Sequence, residues 1–165
     1  MEKILIINTG GTFNKRYNPL KGELEVPKDG IAPEAILRYC YNTAYELVNI
    51  IHKDSLEMND EDRALLLQTV QASSHRKVII LHGTDTMDVS AAFLALHVKD
   101  KIVTLTGAMV PFHIETVEAT ANFVMVLGDI MRNNQAGIYI GMHGCVAPYN
   151  LLYKNRQKGI FEPVR

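Results

Sequence analysis

The chain has 165 residues, 47% of them hydrophobic, and 17 basic against 18 acidic residues leave a formal net charge of -1. That length suits one domain and that composition supplies a core, so the chain is expected to fold unaided. The evenly mixed charge excludes an electrostatic footprint for nucleic acid or an anionic membrane surface and favours small-molecule chemistry.

Residues 3–8 read as a continuous apolar strand, the pattern of a central strand in a parallel sheet covered by helices on both faces. No basic n-region precedes it and no long apolar segment follows, so neither signal peptide nor transmembrane helix is expected, which points to the cytoplasm. Residues 13–30 mix Asn, Lys, Pro and Gly without periodicity and read as a long loop of the lid type. A helix is expected over 31–44, with Pro33 near its first turn, and a strand over 46–51. Asn59-Asp60-Glu61-Asp62 supplies an N-cap and an acidic first turn for a helix through Gln71, with Leu66, Leu67 and Val70 toward the core. Further strands are expected at 77–81, 102–105 and 138–142. Helices are expected at 88–97 and 115–131, the second stopped by Asn133-Asn134.

This alternation predicts one α/β domain over residues 1–165, a doubly wound three-layer α/β/α fold with a mainly parallel sheet. If the five strands run in the order 2-1-3-4-5, the carboxyl ends of strands 2, 1 and 3 bring Ser55, Thr12 and Thr84 side by side. That is the switch-point crevice where open α/β sheets bind ligands.

Cys40 and Cys145 lack a CxxC spacing and are expected as reduced thiols. His52, His75, His97, His113 and His143 form no i,i+4 pair and no HExxH pattern, so no metal site is expected. Neither GxxxxGK[ST] nor GxGxxG occurs, which weakens a phosphate- or nucleotide-binding reading.

Two stretches carry the chemistry. Thr9-Gly10-Gly11-Thr12 and His82-Gly83-Thr84-Asp85-Thr86-Met87 each follow an apolar run and place glycine and hydroxyls where a strand should end. Glycine there lets backbone N–H groups approach a ligand, and threonine presents a hydroxyl at the rim of the sheet. A hydroxyl at such a turn can act as a nucleophile where a base and oxyanion donors stand beside it. A threonine does not ionise unaided near neutral pH. A lysine can take its proton if desolvation brings the amine from ~10.4 toward neutrality, and a carboxylate can orient that lysine. Thr84, Asp85 and a lysine fit those roles. Thr9 and Thr86 read as structural hydroxyls that bond within their own turns, and His82 as closing strand 3 by bonding backbone.

The two motifs in this order resemble the paired signature of bacterial-type L-asparaginases. Asp54-Ser55-Leu56-Glu57-Met58-Asn59 is similar to that family's substrate-carboxylate segment, and Thr106-Gly107-Ala108-Met109-Val110-Pro111 to its Gly-Ala-Met turn, so the resemblance covers essentially the whole chain. It implies an amidohydrolase that converts L-asparagine to aspartate and ammonia through a threonyl ester, with no metal or organic cofactor. Thr12 is then the first nucleophile, with Tyr17 as its partner on the loop that follows. Lys154 is the lysine beside Thr84 and Asp85, with Lys158 as the fallback. Gly11 and Thr84 would offer oxyanion N–H groups, Ser55 would bind the α-carboxylate, Asp85 the α-ammonium, and Ala108 would line the site. Leu56 stands where a glutamine is common. Members usually carry a second small domain whose acidic residue enters a neighbouring subunit's site, and these residues hold no counterpart of it. The resemblance is to short-chain, single-domain forms, for which a homodimer or higher homo-oligomer is expected, with 110–112 and the helix from Glu115 as the candidate contact surface. A non-catalytic amide or amino-acid binding module is the alternative.

Overall fold

The computed structural model describes residues 2–164. The first apolar run forms β1 (Ile4–Gly10), with all seven residues buried. A 3-10 turn at Thr12–Asn14 leads to β2 (Arg16–Asn18) and β3 (Glu23–Glu25), which pair antiparallel. There follow α1 (Ile31–Leu37), β4 (Tyr45–Lys53), a 3-10 turn at Ser55–Glu57, α2 (Asp60–Ala72), β5 (Lys77–Leu81) and α3 (Met87–His97). The chain continues through β6 (Ile102–Thr106), α4 (Thr116–Arg132), β7 (Gly137–Met142), β8 (Cys145–Pro148), β9 (Leu152–Asn155) and β10 (Ile160–Pro163).

Six strands form the main sheet in the order β4-β1-β5-β6-β7-β8. The first five are parallel and in the expected 2-1-3-4-5 arrangement, while β8 adds antiparallel to β7. Successive strand side chains point to opposite faces, so a continuous apolar run is what a sheet covered on both sides requires. Leu5, Ile7, Val78 and Ile80 pack with Leu66 and Val70 of α2 and with Ala91 and Leu94 of α3. Ile4, Ile6, Ile79 and Leu81 face the other way, against Ile36 of α1 and Phe123, Val126 and Ile130 of α4. Each such Val, Leu, Ile or Phe side chain, fully buried, contributes about 1.5–3 kcal/mol relative to exposure. The result is a single three-layer α/β/α domain.

Local chemistry sets the ends of the elements. Asn59 and Asp62 close a reciprocal capping box on α2, satisfying two N–H groups that the first turn leaves free. Glu115 accepts from the N–H groups of Val117 and Glu118 at the head of α4. Three expectations are corrected. The helix expected to reach residue 44 ends at Leu37, because Tyr39 and Tyr41, 71% and 83% exposed, bring no side chain to the sheet beyond that point. The loop over 13–30 contains the β2–β3 hairpin. Asn18 turns it: its carbonyl accepts from Gly22 and its side chain from Leu20.

The third concerns the end of the chain, where β8 and the β9–β10 hairpin were not expected. Met142 pairs with Cys145 across a two-residue turn in which His143 and Gly144 have φ of 51° and 85°. Two positive φ values in a two-residue hairpin are the mirror-image turn usually made by Asn-Gly, and His-Gly does that work here. Among the described residues no helix is long and apolar enough to cross a membrane.

Candidate active site

The carboxyl ends of β4, β1 and β5 lie side by side, and the turns that leave them are pressed together. A Cβ on Gly11, whose φ is 73°, would stand 2.5 Å from Gly83 N; one on Gly83 would stand 2.6 Å from Ser55 Cβ. Only glycine lets these three backbones meet. Hydroxyls then tie one turn to the next. Thr9 Oγ1 donates to the Leu81 carbonyl at 2.7 Å and Thr86 Oγ1 to the Ser55 carbonyl at 2.9 Å. Ser55 Oγ accepts from the N–H groups of Asp85 and Thr86 at 3.1 and 3.3 Å. Thr9 and Thr86 are therefore structural, but they bond between turns and not within their own as expected. An ion pair from Lys15 to Asp54 joins the first turn to the second.

Lys154, on β9, comes to this cluster from the far end of the chain. Its Nζ donates to Thr84 Oγ1 at 2.8 Å and to Asp85 Oδ1 at 2.7 Å. The Lys154 side chain is only 10% exposed, and Thr84 is buried. Arg156 closes the same side by donating to the Asp85 carbonyl at 2.7 Å. Lys158 is corrected out of the site: its amine pairs with Glu162 at 3.1 Å and its side chain is 56% exposed. Tyr153, Asn155 and Lys158 all donate to Glu162, whose carboxyl is held down to about 2 by these bonds, the Tyr153 hydroxyl foremost. That carboxylate braces the hairpin carrying Lys154.

The other expected residues fall unevenly. Thr12 is half-buried at the start of its 3-10 turn, between Gly11 and the fully buried Phe13. The Gly11 N–H donates to the Lys53 carbonyl at 2.9 Å, so the oxyanion role expected of it is corrected: that donor is already used in holding β1 to β4. No such bond takes up the Thr84 N–H among the described residues. Ser55 is fully buried, and its oxygen braces the Thr84 turn. Leu56 is 73% exposed. Ala108 is buried, in a turn held by Asn122 at Gly107 and by Glu118 at Met109 and Val110. Tyr17 sits on β2, 59% exposed. The structure thus gathers Thr84, Asp85 and Lys154 and leaves Tyr17 unconnected to them.

Behind the cluster lies a buried network of which His82 and Thr86 were expected as structural groups and Arg63 and Ser90 were not. His82 is fully buried, and its Nδ1 bonds the Gly83 carbonyl at 2.7 Å, the backbone bond expected of it. A carbonyl only accepts, so Nδ1 carries the proton and Nε2 accepts from the Ser90 hydroxyl at 2.8 Å. Burial pushes the imidazole down to about 4. Arg63 of α2 donates to Ser90 Oγ, the Met58 carbonyl and Thr86 Oγ1. The available signal was an arginine at helical spacing with Leu66 and Val70 on the apolar face. Among the described residues no group of three or more His, Cys, Asp or Glu side chains converges as a metal site.

Comparison with known proteins places this geometry. The family model described as asparaginase, N-terminal, matches residues 3–160. Over 100 residues the chain is 35% identical to a probable periplasmic L-asparaginase of Haemophilus influenzae, an alignment covering 57% of this chain and 28% of that protein. The fold matches a thermostable L-asparaginase from Thermococcus kodakarensis with a TM-score of 0.86 at 22% identity, covering 98% of this chain and 51% of that one. A probable cytoplasmic L-asparaginase from Campylobacter jejuni matches with a TM-score of 0.82 at 22% identity, covering 99% and 53%. The chain therefore spans about half the length of these solved structures.

Proposed function

We propose that this chain, which belongs to the asparaginase family through its N-terminal domain, is an amidohydrolase converting L-asparagine to L-aspartate and ammonia by threonine nucleophilic catalysis. The observation that carries the reading is the placement of Lys154 Nζ between Thr84 Oγ1 at 2.8 Å and Asp85 Oδ1 at 2.7 Å. A largely covered amine on a hydroxyl, with a carboxylate fixing the amine, is the arrangement a proton relay needs.

In this mechanism the Thr12 hydroxyl oxygen attacks the side-chain amide carbon, and the Thr84 N–H donates to the oxyanion. The C–N bond breaks as the nitrogen takes up the proton released by Thr12, so ammonia leaves and a threonyl ester remains. Water then adds to the ester carbon, its proton passing through the Thr84 hydroxyl to Lys154. The ester C–O bond breaks, and the proton returns to Thr12 Oγ1 as aspartate is freed. Asp85 orients Lys154 and takes the substrate α-ammonium. Ser55 is assigned to the α-carboxylate, with Leu56 exposed beside it and Gly11 and Ala108 in the buried turns behind the crevice. Tyr17 reaches Thr12 only if the β2–β3 hairpin folds over the crevice.

Two copies of the chain are proposed to associate in the cytoplasm, covering the crevice mouth. Ile114, Val117 and Val124, 62%, 70% and 44% exposed, support a contact through the start of α4. A second reading, a non-catalytic amide or amino-acid binding module, is favoured by the outward Tyr17 and the Gly11 N–H already bonded to Lys53. Incubation with L-asparagine separates the two. Stoichiometric excess of ammonia over protein supports the enzyme, and saturable binding without ammonia supports the module.

A further inference from the structure

His143 is the described non-glycine residue with a positive φ, 51°, a conformation that persists where surrounding contacts over-determine it. Both of its ring nitrogens are engaged. Nε2 lies 2.9 Å from Glu118 Oε1, and the Phe161 N–H donates to Nδ1 at 3.0 Å. A peptide N–H only donates and a carboxylate accepts, so Nδ1 is bare and Nε2 bears the proton. The His143 N–H in turn donates to Asn122 Oδ1 at 2.9 Å.

Glu118 and Asn122 stand one turn apart on α4 and grip two things at once. Glu118 accepts from the N–H groups of Met109 and Val110, both at 2.9 Å, and Asn122 Nδ2 donates to the Gly107 carbonyl at 3.0 Å. Through His143 the same pair reaches Phe161, which is the ladder partner of Lys154 across β9–β10. The hairpin has two strands and is not part of the main sheet. Leu152 and Phe161 seat it on the core beside Ile140 and Met142, but apolar contact is non-directional, so the position of a two-stranded hairpin is set by directional ties such as the one through His143.

We infer that His143 is a positioning residue for Lys154: its imidazole anchors Phe161 to Glu118, and so sets the hairpin that carries the amine on the same helix that holds the Gly107-Ala108 turn. This rests on Lys154 being the base of the proposed reaction. Loss of the two ring hydrogen bonds, one of them to a charged group, frees the hairpin to sample positions in which Lys154 leaves Thr84.

The test reads Lys154 directly. Amine acetylation followed by peptide mass spectrometry gives the labelling rate of Lys154 relative to Lys158, whose side chains are 10% and 56% exposed. His143→Gly removes the ring without backbone strain, and His143→Asn keeps a short acceptor near the Nδ1 position in a residue that tolerates positive φ. The ratio is expected to rise about tenfold in His143→Gly and to fall back toward wild type in His143→Asn, which restores one of the two hydrogen bonds. With L-asparagine, kcat is expected to fall in parallel while KM holds. An unchanged ratio in His143→Gly overturns the inference, as does an equal rise at the buried Lys77 and Lys101, which signals general loosening. A wild-type protein that releases no ammonia defeats the amidase reading alone, because the labelling ratio still decides whether His143 places Lys154.

Discussion

Lys154 Nζ and Thr84 Oγ1 lie 2.8 Å apart although 70 positions separate them in the chain. A hydroxyl at the end of β5 and an amine on a peripheral hairpin meet because Asp85 and Arg156 bond across the same gap. If this contact is the relay, Lys154→Met lowers kcat for ammonia release by about 10²–10⁴-fold, while Lys158→Met, removing an exposed amine paired with Glu162, has little effect. Steady-state kinetics on both variants checks it. Equal losses return the base to unassigned.

Thr12→Ala and Thr84→Val each remove a reacting or relaying hydroxyl and leave the apolar contacts of the turns in place. Both are expected to lower kcat by about two orders of magnitude or more, with thermal midpoints near wild type. Wild-type turnover in either variant removes that threonine from the mechanism.

The glycines divide by what surrounds them. A Cβ on Gly83 meets Ser55 Cβ at 2.6 Å, whereas one on Gly128, on the outer face of α4, has nothing within 4 Å. Gly83→Ala is expected to destabilise by about 1–3 kcal/mol through overpacking. Gly128→Ala is expected to stabilise by about 0.4–1 kcal/mol, because alanine gives up less chain entropy in a helix. Urea unfolding of the two variants measures both signs, and a stable Gly83→Ala protein contradicts the tight packing of the turns.

His82 predicts an acid-sensitive fold. In the unfolded chain an imidazole titrates near ~6.5, whereas in the fold burial holds His82 at about 4. Above the unfolded value both states keep it neutral and it contributes no pH dependence. As pH falls from about 6.5 to about 4 the unfolded chain binds the proton first, and stability drops by about 3 kcal/mol. Comparison of unfolding free energy at pH 7 and pH 4.5, in wild type and His82→Gln, isolates this part. An identical pH dependence in the two proteins defeats the assignment.

Association is expected to follow the apolar surface at the start of α4. Val117→Glu, at a position 70% exposed, should shift a dimer to monomer and lower specific activity on dilution without unfolding the chain. Sedimentation paired with a dilution series of activity tests it. A monomer that is fully active at every concentration shows that the crevice needs no second copy.

Hydrophobic periodicity determined the five parallel strands, because burial on both faces of a sheet writes itself as an unbroken apolar run, whereas the strand order that places the crevice was settled only by the pairing of β4, β1 and β5. The asparaginase motifs likewise named Thr12, Thr84 and Asp85, since glycine and hydroxyl at a strand end are local features. The resemblance put Lys154 ahead of Lys158, and tertiary structure decided that Lys154 reaches Thr84, because it stands on β9 paired with Phe161 of β10 while Lys158 lies in the turn between them. It also decided that Gly11 spends its N–H on Lys53, a partner distant in sequence, that helix α1 stops at Leu37 where Tyr39 and Tyr41 turn to solvent, and that Tyr17 faces outward. His143 belongs to the same class. Nothing in the sequence marked its turn, and its hold on Glu118 and Phe161 exists only once α4, β7 and β10 have packed together.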